Sequence, residues 1–179
     1  MPERSFPAVP GSRAPRQNER LRPALLDRLT DEQPTQRQET ALPGSSHSAL
    51  RAAVIRDLAW LLNTTSLAAD VDLTPYAHAL RSVLNYGVLP LAGKRISELD
   101  SQELATGLRL AILQFEPRLL PESVQVVCIA TQDLLAHRNE MAFEIRALLW
   151  SVPYPLEFVV RSDLDLETGH TTLTDRVPH

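Results

Sequence analysis

The hydrophobic period of this chain changes once, from 3.6 to 2, and the change falls at Pro117. Before it, apolar residues recur at helical spacing; after it, they alternate. Each kind of element must bury its apolar side against a neighbour, so helices followed by strands specify a layered α+β domain. Leu50, Val54, Leu58, Leu61 and Leu62 trace one face of a helix over about 48–63, with Ser48 placed to cap it. Thr74-Pro75, a cap followed by a first-turn proline, opens a second helix. It is expected to stop near Asn85-Tyr86-Gly87, where glycine suits a left-handed C-terminal position. Asp100-Ser-Gln-Glu103 has capping-box spacing and opens a third, with Leu104, Leu108, Ala111, Ile112 and Phe115 facing the core.

Past Pro117, Val124 to Ile129 is a short β-branched run. Met141, Phe143, Ile145, Ala147 and Leu149 alternate with Ala142, Glu144 and Arg146. Phe158, Val160, Leu164 and Leu166 alternate with Glu157, Arg161, Asp163, Asp165 and Glu167, with Ser162 a polar residue on the apolar face. Three consecutive strands with short connections predict an antiparallel meander, covered on one face by about three to four helices. The last strand, over about 156–167, is long for its kind. A long terminal strand reads as an edge, which is where another chain can pair.

Residues 1–45 differ in composition, with half of the 14 prolines, seven arginines, six acids and no lysine. Too little apolar surface lies there to offset the entropy of ordering, so most of the segment is expected to be flexible. The exception is a short helix near 18–30, where Leu21, Leu25, Leu26 and Leu29 make one stripe. Such a helix is marginal alone and has to dock on something. Residues 46–179 read as a single α+β domain, acidic by 16 carboxylates to 11 bases. The whole chain carries a charge of −4, which argues against general nucleic-acid binding. The opening stretch is broken by proline and no apolar run approaches ~20 residues, so neither a signal peptide nor a spanning helix is expected and the chain reads as cytoplasmic.

Most catalytic chemistry finds poor support. Gly87 to Arg95 resembles a phosphate-binding loop only loosely: five residues separate its glycines, and Arg95 follows Lys94 where a hydroxyl residue is needed. Asp133, His137 and Glu140 lack the second histidine or cysteine of a zinc site. Cys128 cannot form an internal disulfide and has no basic neighbour to activate it, so it reads as a buried structural residue. A glycosidase pair could be assembled from Glu116 with Asp100, Glu103 or Glu144, but aromatic residues are only 5% of the chain. No catalytic residue, cofactor or metal site is therefore expected. The local feature that remains is Glu116-Pro117-Arg118, where proline forces a break and stiffens a polar corner. Glu116 and Arg118 either satisfy each other at the junction or project from it, leaving the guanidinium free to grip a partner's carboxylate or carbonyls.

Glu116-Pro117-Arg118 also matches the Glu-Pro-Arg motif of the baseplate wedge family, shared by contractile-tailed phages and the bacterial type VI secretion system. Arg56-Asp-Leu-Ala-Trp-Leu-Leu-Asn-Thr64, Ser82-Val-Leu-Asn-Tyr-Gly87, Phe143-Glu-Ile145, Leu149-Trp150 and Asp163-Leu-Asp-Leu-Glu-Thr-Gly169 follow the family in order, as does Leu25-Leu-Asp-Arg-Leu29. The chain resembles the TssE branch of that family, often labelled lysozyme-like. It departs in running Tyr86-Gly-Val-Leu-Pro-Leu91, one residue longer than the usual loop and without its acid. The resemblance implies a non-enzymatic structural protein of the secretion baseplate that binds the TssF and TssG wedge core, with TssK nearby. It implies seeding of the TssB/TssC sheath, without nucleic acid or membrane insertion. It assigns Glu116, Pro117 and Arg118 to partner binding, and leaves a peptidoglycan hydrolase as the alternative.

Overall fold

The computed structural model describes residues 25–29, 46–93, 99–129 and 139–176. Four helices are present among them: α1 (Leu25–Leu29), α2 (His47–Leu62), α3 (Ala77–Leu80) and α4 (Ser101–Phe115). They precede a four-stranded antiparallel sheet of β1 (Gln125–Ile129), β2 (Glu140–Leu149), β3 (Leu156–Asp165) and β4 (Thr171–Asp175), in the order β1-β2-β3-β4. The fold is α+β and the sheet is a meander, with one strand more than the hydrophobic alternation indicates. No helix among the described residues is long and apolar enough to cross a membrane.

The two long helices start where their caps dictate. Ser46, rather than Ser48, caps α2 by accepting from the Ala49 N–H at 3.1 Å. Asp100 caps α4, accepting from the Gln102 and Glu103 N–H groups. Leu50, Val54, Leu58, Leu61 and Leu62 of α2 are all buried, and Ile112 of α4 meets them. Helix α4 lies against β1 and α2 against β4, so both cover one face of the sheet. Met141, Phe143, Ile145, Ala147 and Leu149 of β2 face that layer, joined by Phe158, Val160 and Leu164 of β3 and by Leu166 just past it. Ser162, the polar residue on the apolar face, is buried with them.

Two expectations fail for identifiable reasons. The helix expected from Thr74 to Gly87 is only the four-residue α3 followed by a 3₁₀ turn at Val83–Asn85. Side chains take over its backbone groups: Ser82 Oγ donates to Ala79 O and accepts from Leu84 N, while Asn85 bonds Leu80 O and the Ala68 N–H. Such local bonds compete with helix propagation. The long strand expected to be the edge is instead interior, because β4 pairs with it from Val160↔Asp175 to Leu164↔Thr171. It also stops at Asp165, whose Oδ1 accepts from the Glu167 N–H to start a tight turn closed by Gly169 at φ +74°.

The edges are therefore β1 and β4. Where β4 ends, Arg51 covers the exposed carbonyls of β3, donating to Glu157 O at 2.7 Å and Val159 O at 3.2 Å while its guanidinium grips Asp175. Asn63, at the C-terminus of α2, fixes the other end of β4. Its amide donates to Thr171 O and accepts from Thr171 N, both at 2.9 Å.

Candidate functional site

The site is built where α4 stops. Pro117 has no N–H to continue the helix, and its ring moves Glu116 out of helical geometry, to φ −119° and ψ 80°. Glu116 still donates its own N–H to Ile112 O, so it is the C-terminal cap of α4. Its side chain turns inward and is 4% exposed. A carboxylate so buried requires compensating donors. Arg118 supplies them in a fork: Nε donates to Glu116 Oε1 at 2.7 Å and Nη2 to Oε2 at 2.5 Å, while the Arg118 backbone N–H reaches Oε1 at 3.1 Å.

The arginine has a second carboxylate partner from another element. Arg118 Nη2 donates to Asp57 Oδ2 at 2.6 Å, and Asp57 Oδ1 accepts from Arg56 Nε at 3.0 Å. Arg56 in turn pairs through Nη1 with Asp27 of α1. Charges thus alternate through Asp27, Arg56, Asp57, Arg118 and Glu116. Burial works to lower the Arg118 pKa, but the hydrogen bonds and charges of Glu116 and Asp57 outweigh it and raise it above the ordinary value. Arg118 is a permanent cation. Tyr86 donates its hydroxyl to Asp57 O at 3.3 Å and packs edge-on against Phe115, 5.2 Å between ring centroids. Burial, then the charges of Asp57 and Glu116, raise the pKa of that phenol, which keeps it a donor.

The corner is also tied to the sheet. Arg118 O accepts from the Trp150 N–H at 2.8 Å, and Leu119 bridges to Leu149 at the end of β2. Helix α2, the end of α4 and the end of β2 therefore converge on one arginine. Its Nη1 has no hydrogen-bond partner among the described residues. Chemically the arrangement is a fixed donor, held in orientation by two carboxylates.

Sequence spacing placed Glu116 and Arg118 together at a rigid corner, and the structure agrees. It does not show them both projecting: Glu116 is buried and the two satisfy each other. Asp57 and Arg56 were not picked out by spacing, since 61 residues separate Asp57 from Arg118. Their one signal was membership of the Arg56–Thr64 block. Two of the three carboxylates suggested as glycosidase partners are engaged elsewhere, Asp100 capping α4 and Glu144 pairing with Arg146, while Glu103 lies exposed in the first turn of α4. Asp133 and His137 of the suggested metal trio, and Lys94 and Arg95 of the phosphate-loop resemblance, lie outside the described residues. Cys128 is half-buried on the edge strand β1 rather than enclosed, and burial pushes its thiol pKa up.

The stripe helix proposed near 18–30 is described only as α1, with Leu21 outside the described residues. It meets the domain through Asp27 and Arg56, while Leu25 and Leu29 stay exposed.

Searches of curated proteins and of solved structures return no significant match. A family model described as baseplate wedge protein gp25 matches residues 48–154, more than half of the chain. The matched stretch runs from the first turn of α2 past the end of β2 and contains Asp57, Glu116, Pro117, Arg118 and Trp150. The chain belongs to the baseplate wedge protein family.

Proposed function

We propose that this protein is a structural subunit of a type VI secretion baseplate, working in the cytoplasm at the membrane-associated end of that machine. It binds the TssF and TssG wedge core through Glu116, Pro117 and Arg118, with TssK in the same assembly. The observation that carries this reading is the Arg118 guanidinium, fixed by Glu116 and Asp57 while its side chain stays 24% exposed. A donor oriented before binding loses little entropy on meeting its acceptor. Seeding of the TssB/TssC sheath follows from strand pairing, for which β1 and β4 are the two sheet edges. No cofactor or catalytic step enters this role. Hydrolysis of peptidoglycan would need a carboxyl group presented to substrate, and both oxygens of Glu116 are taken by Arg118.

The test is co-purification with the TssF and TssG counterparts. Replacing Arg118 by alanine would strand the buried Glu116 carboxylate, a change that costs about 3–5 kcal/mol of fold stability. Arg118→Lys keeps the charge and loses the planar fork. This variant is expected to fold, by circular dichroism, and to bind the wedge core at least about tenfold more weakly. Undiminished binding would remove Arg118 from the interface. If neither wild type nor variant binds while both are folded, the wedge reading itself fails and a peptidoglycan turnover assay becomes the informative experiment.

A further inference from the structure

Two hydroxyl residues interrupt the apolar, helix-facing side of the sheet. Ser162 of β3 is 1% exposed and Thr171 of β4 is 6% exposed, yet among the described residues neither hydroxyl has a hydrogen-bond partner. Asn63 holds only the backbone of Thr171. Ser162 pairs with Leu173 and Thr171 with Leu164, so the two are diagonal neighbours on one face, about 7–8 Å apart. Buried hydroxyls are rarely left unpaired, and each lowers stability unless something bonds it. Both line one cavity of about 200 Å³, enclosed by the end of α2, the 88–92 loop, Leu108 of α4 and the turn between β3 and β4. Leu62, Leu91, Phe143 and Leu164 make its walls apolar. Its other polar side chains are committed or superficial: Thr64 donates to Trp60 O, Thr168 to Asp165, and Thr65 is exposed at the rim. The loop is pinned at both ends, by the bonds of Val88 with Thr64 and Ser66 and by the Gly93 N–H donating to Leu166 O at 2.8 Å.

We propose that this cavity is a binding site for a compact uncharged group with an apolar body and a hydroxyl head, a phenol in chemical type, whose head bonds Ser162 and Thr171. The site goes beyond the baseplate role and does not rest on it. The two hydroxyls fix the head, because they are close enough for one hydroxyl to reach both. The walls fix the body. A buried water needs two to four polar partners, and water against these leucines and Phe143 finds few, so an apolar group that displaces it gains affinity. Among the described residues no ionisable side chain lines the cavity. A carboxylate or ammonium would lose its hydration there with no opposite charge to meet, which makes the ligand neutral.

The test is a titration of the nitrogen-15-labelled full chain with phenol, toluene and benzoate, which share a ring and differ in the head. Phenol is expected to bind with a Kd of about 1 mM, as suits so few atoms, and to shift the amide resonances of Thr65, Leu91, Ser162 and Thr171. Benzoate is expected to bind about tenfold more weakly or worse. Ser162→Ala and Thr171→Val remove only unpaired hydroxyls and should fold. Each is expected to weaken phenol about three- to tenfold and to leave toluene unchanged. No saturable shift with phenol, or shifts confined to other residues, would overturn the site. Equal losses for phenol and toluene would overturn the role of the hydroxyls, and benzoate binding as well as phenol would overturn the neutral ligand. N-acetyltyrosinamide separates the two sources of such a group. Binding as strong as that of phenol supports the site as a receptor for a tyrosine side chain of another protein; its exclusion, while phenol binds, supports the site as one for a free small molecule.

Discussion

At the scale of single residues, two positions show how backbone constraints set the site. Pro117 ends α4 and thereby points the Glu116 carboxylate inward, where only a cation can follow it. Gly87 holds the segment entering Val88 against Thr64 and Ser66, in a bridge with Val88 N donating to Thr64 O at 2.8 Å and Ser66 N to Val88 O at 3.0 Å. Its φ is +124°, and a Cβ there would lie 2.3 Å from Thr64 O, a backbone atom that cannot step aside. Gly87→Ala is therefore expected to cost about 1–3 kcal/mol or more, read as a lower midpoint in urea unfolding. A variant as stable as wild type would mean that the bridge is not held in solution. The glycine was legible as a special position from sequence; its reason was not, because the clash is with a loop more than twenty residues earlier.

At the scale of elements, hydrophobic alternation was sufficient for β2 and β3, whose alternating apolar positions from Met141 to Leu149 and at Phe158, Val160 and Leu164 are buried, while Leu148 stays exposed. It was insufficient for β4. Thr171-Thr-Leu-Thr-Asp175 has a single aliphatic residue and no alternation to detect, and it becomes a strand by pairing with β3 and by the clamp from Asn63. Asn63→Ala removes the partner of both backbone groups of Thr171, which is buried. The expected cost is about 1–3 kcal/mol, concentrated in β4 as faster amide hydrogen exchange at Thr171–Asp175. Uniform loss of protection over the whole sheet, or none, would contradict the clamp. The 74–87 segment failed in the opposite sense: its cap and glycine signals were right for a helix, but Ser82 and Asn85 satisfied the backbone without one.

At the scale of the whole molecule, helices and sheet share one interior. Leu58 of α2, Ile112 of α4, Ile145 of β2 and Phe158 of β3 are fully buried in the same cluster. Leu58→Ala, which removes a side chain common to both layers, is expected to cost about 2–5 kcal/mol. The loss should appear in a single cooperative transition by both helix and tertiary signals. Separate transitions would show that the layers fold independently. Because the same layers position Asp57 and Arg118, the polar corner is expected to lose its geometry together with the core rather than ahead of it.

The sequence by itself determined what depends on neighbours within a few residues. Hydrophobic periods chose helix or strand for α2, α4, β2 and β3 and assigned each of these a buried face; Asp100 and Pro117 marked the ends of α4; Glu116 and Arg118 were placed within reach of each other. Tertiary structure decided what depends on contacts between distant segments. It made β3 interior by adding β4, turned the polar corner inward, and delivered Asp57 to Arg118 across 61 residues. The physical reason is that caps, proline and side-chain period act through local geometry. The partner of a buried charge is fixed by whichever element the packed core brings beside it.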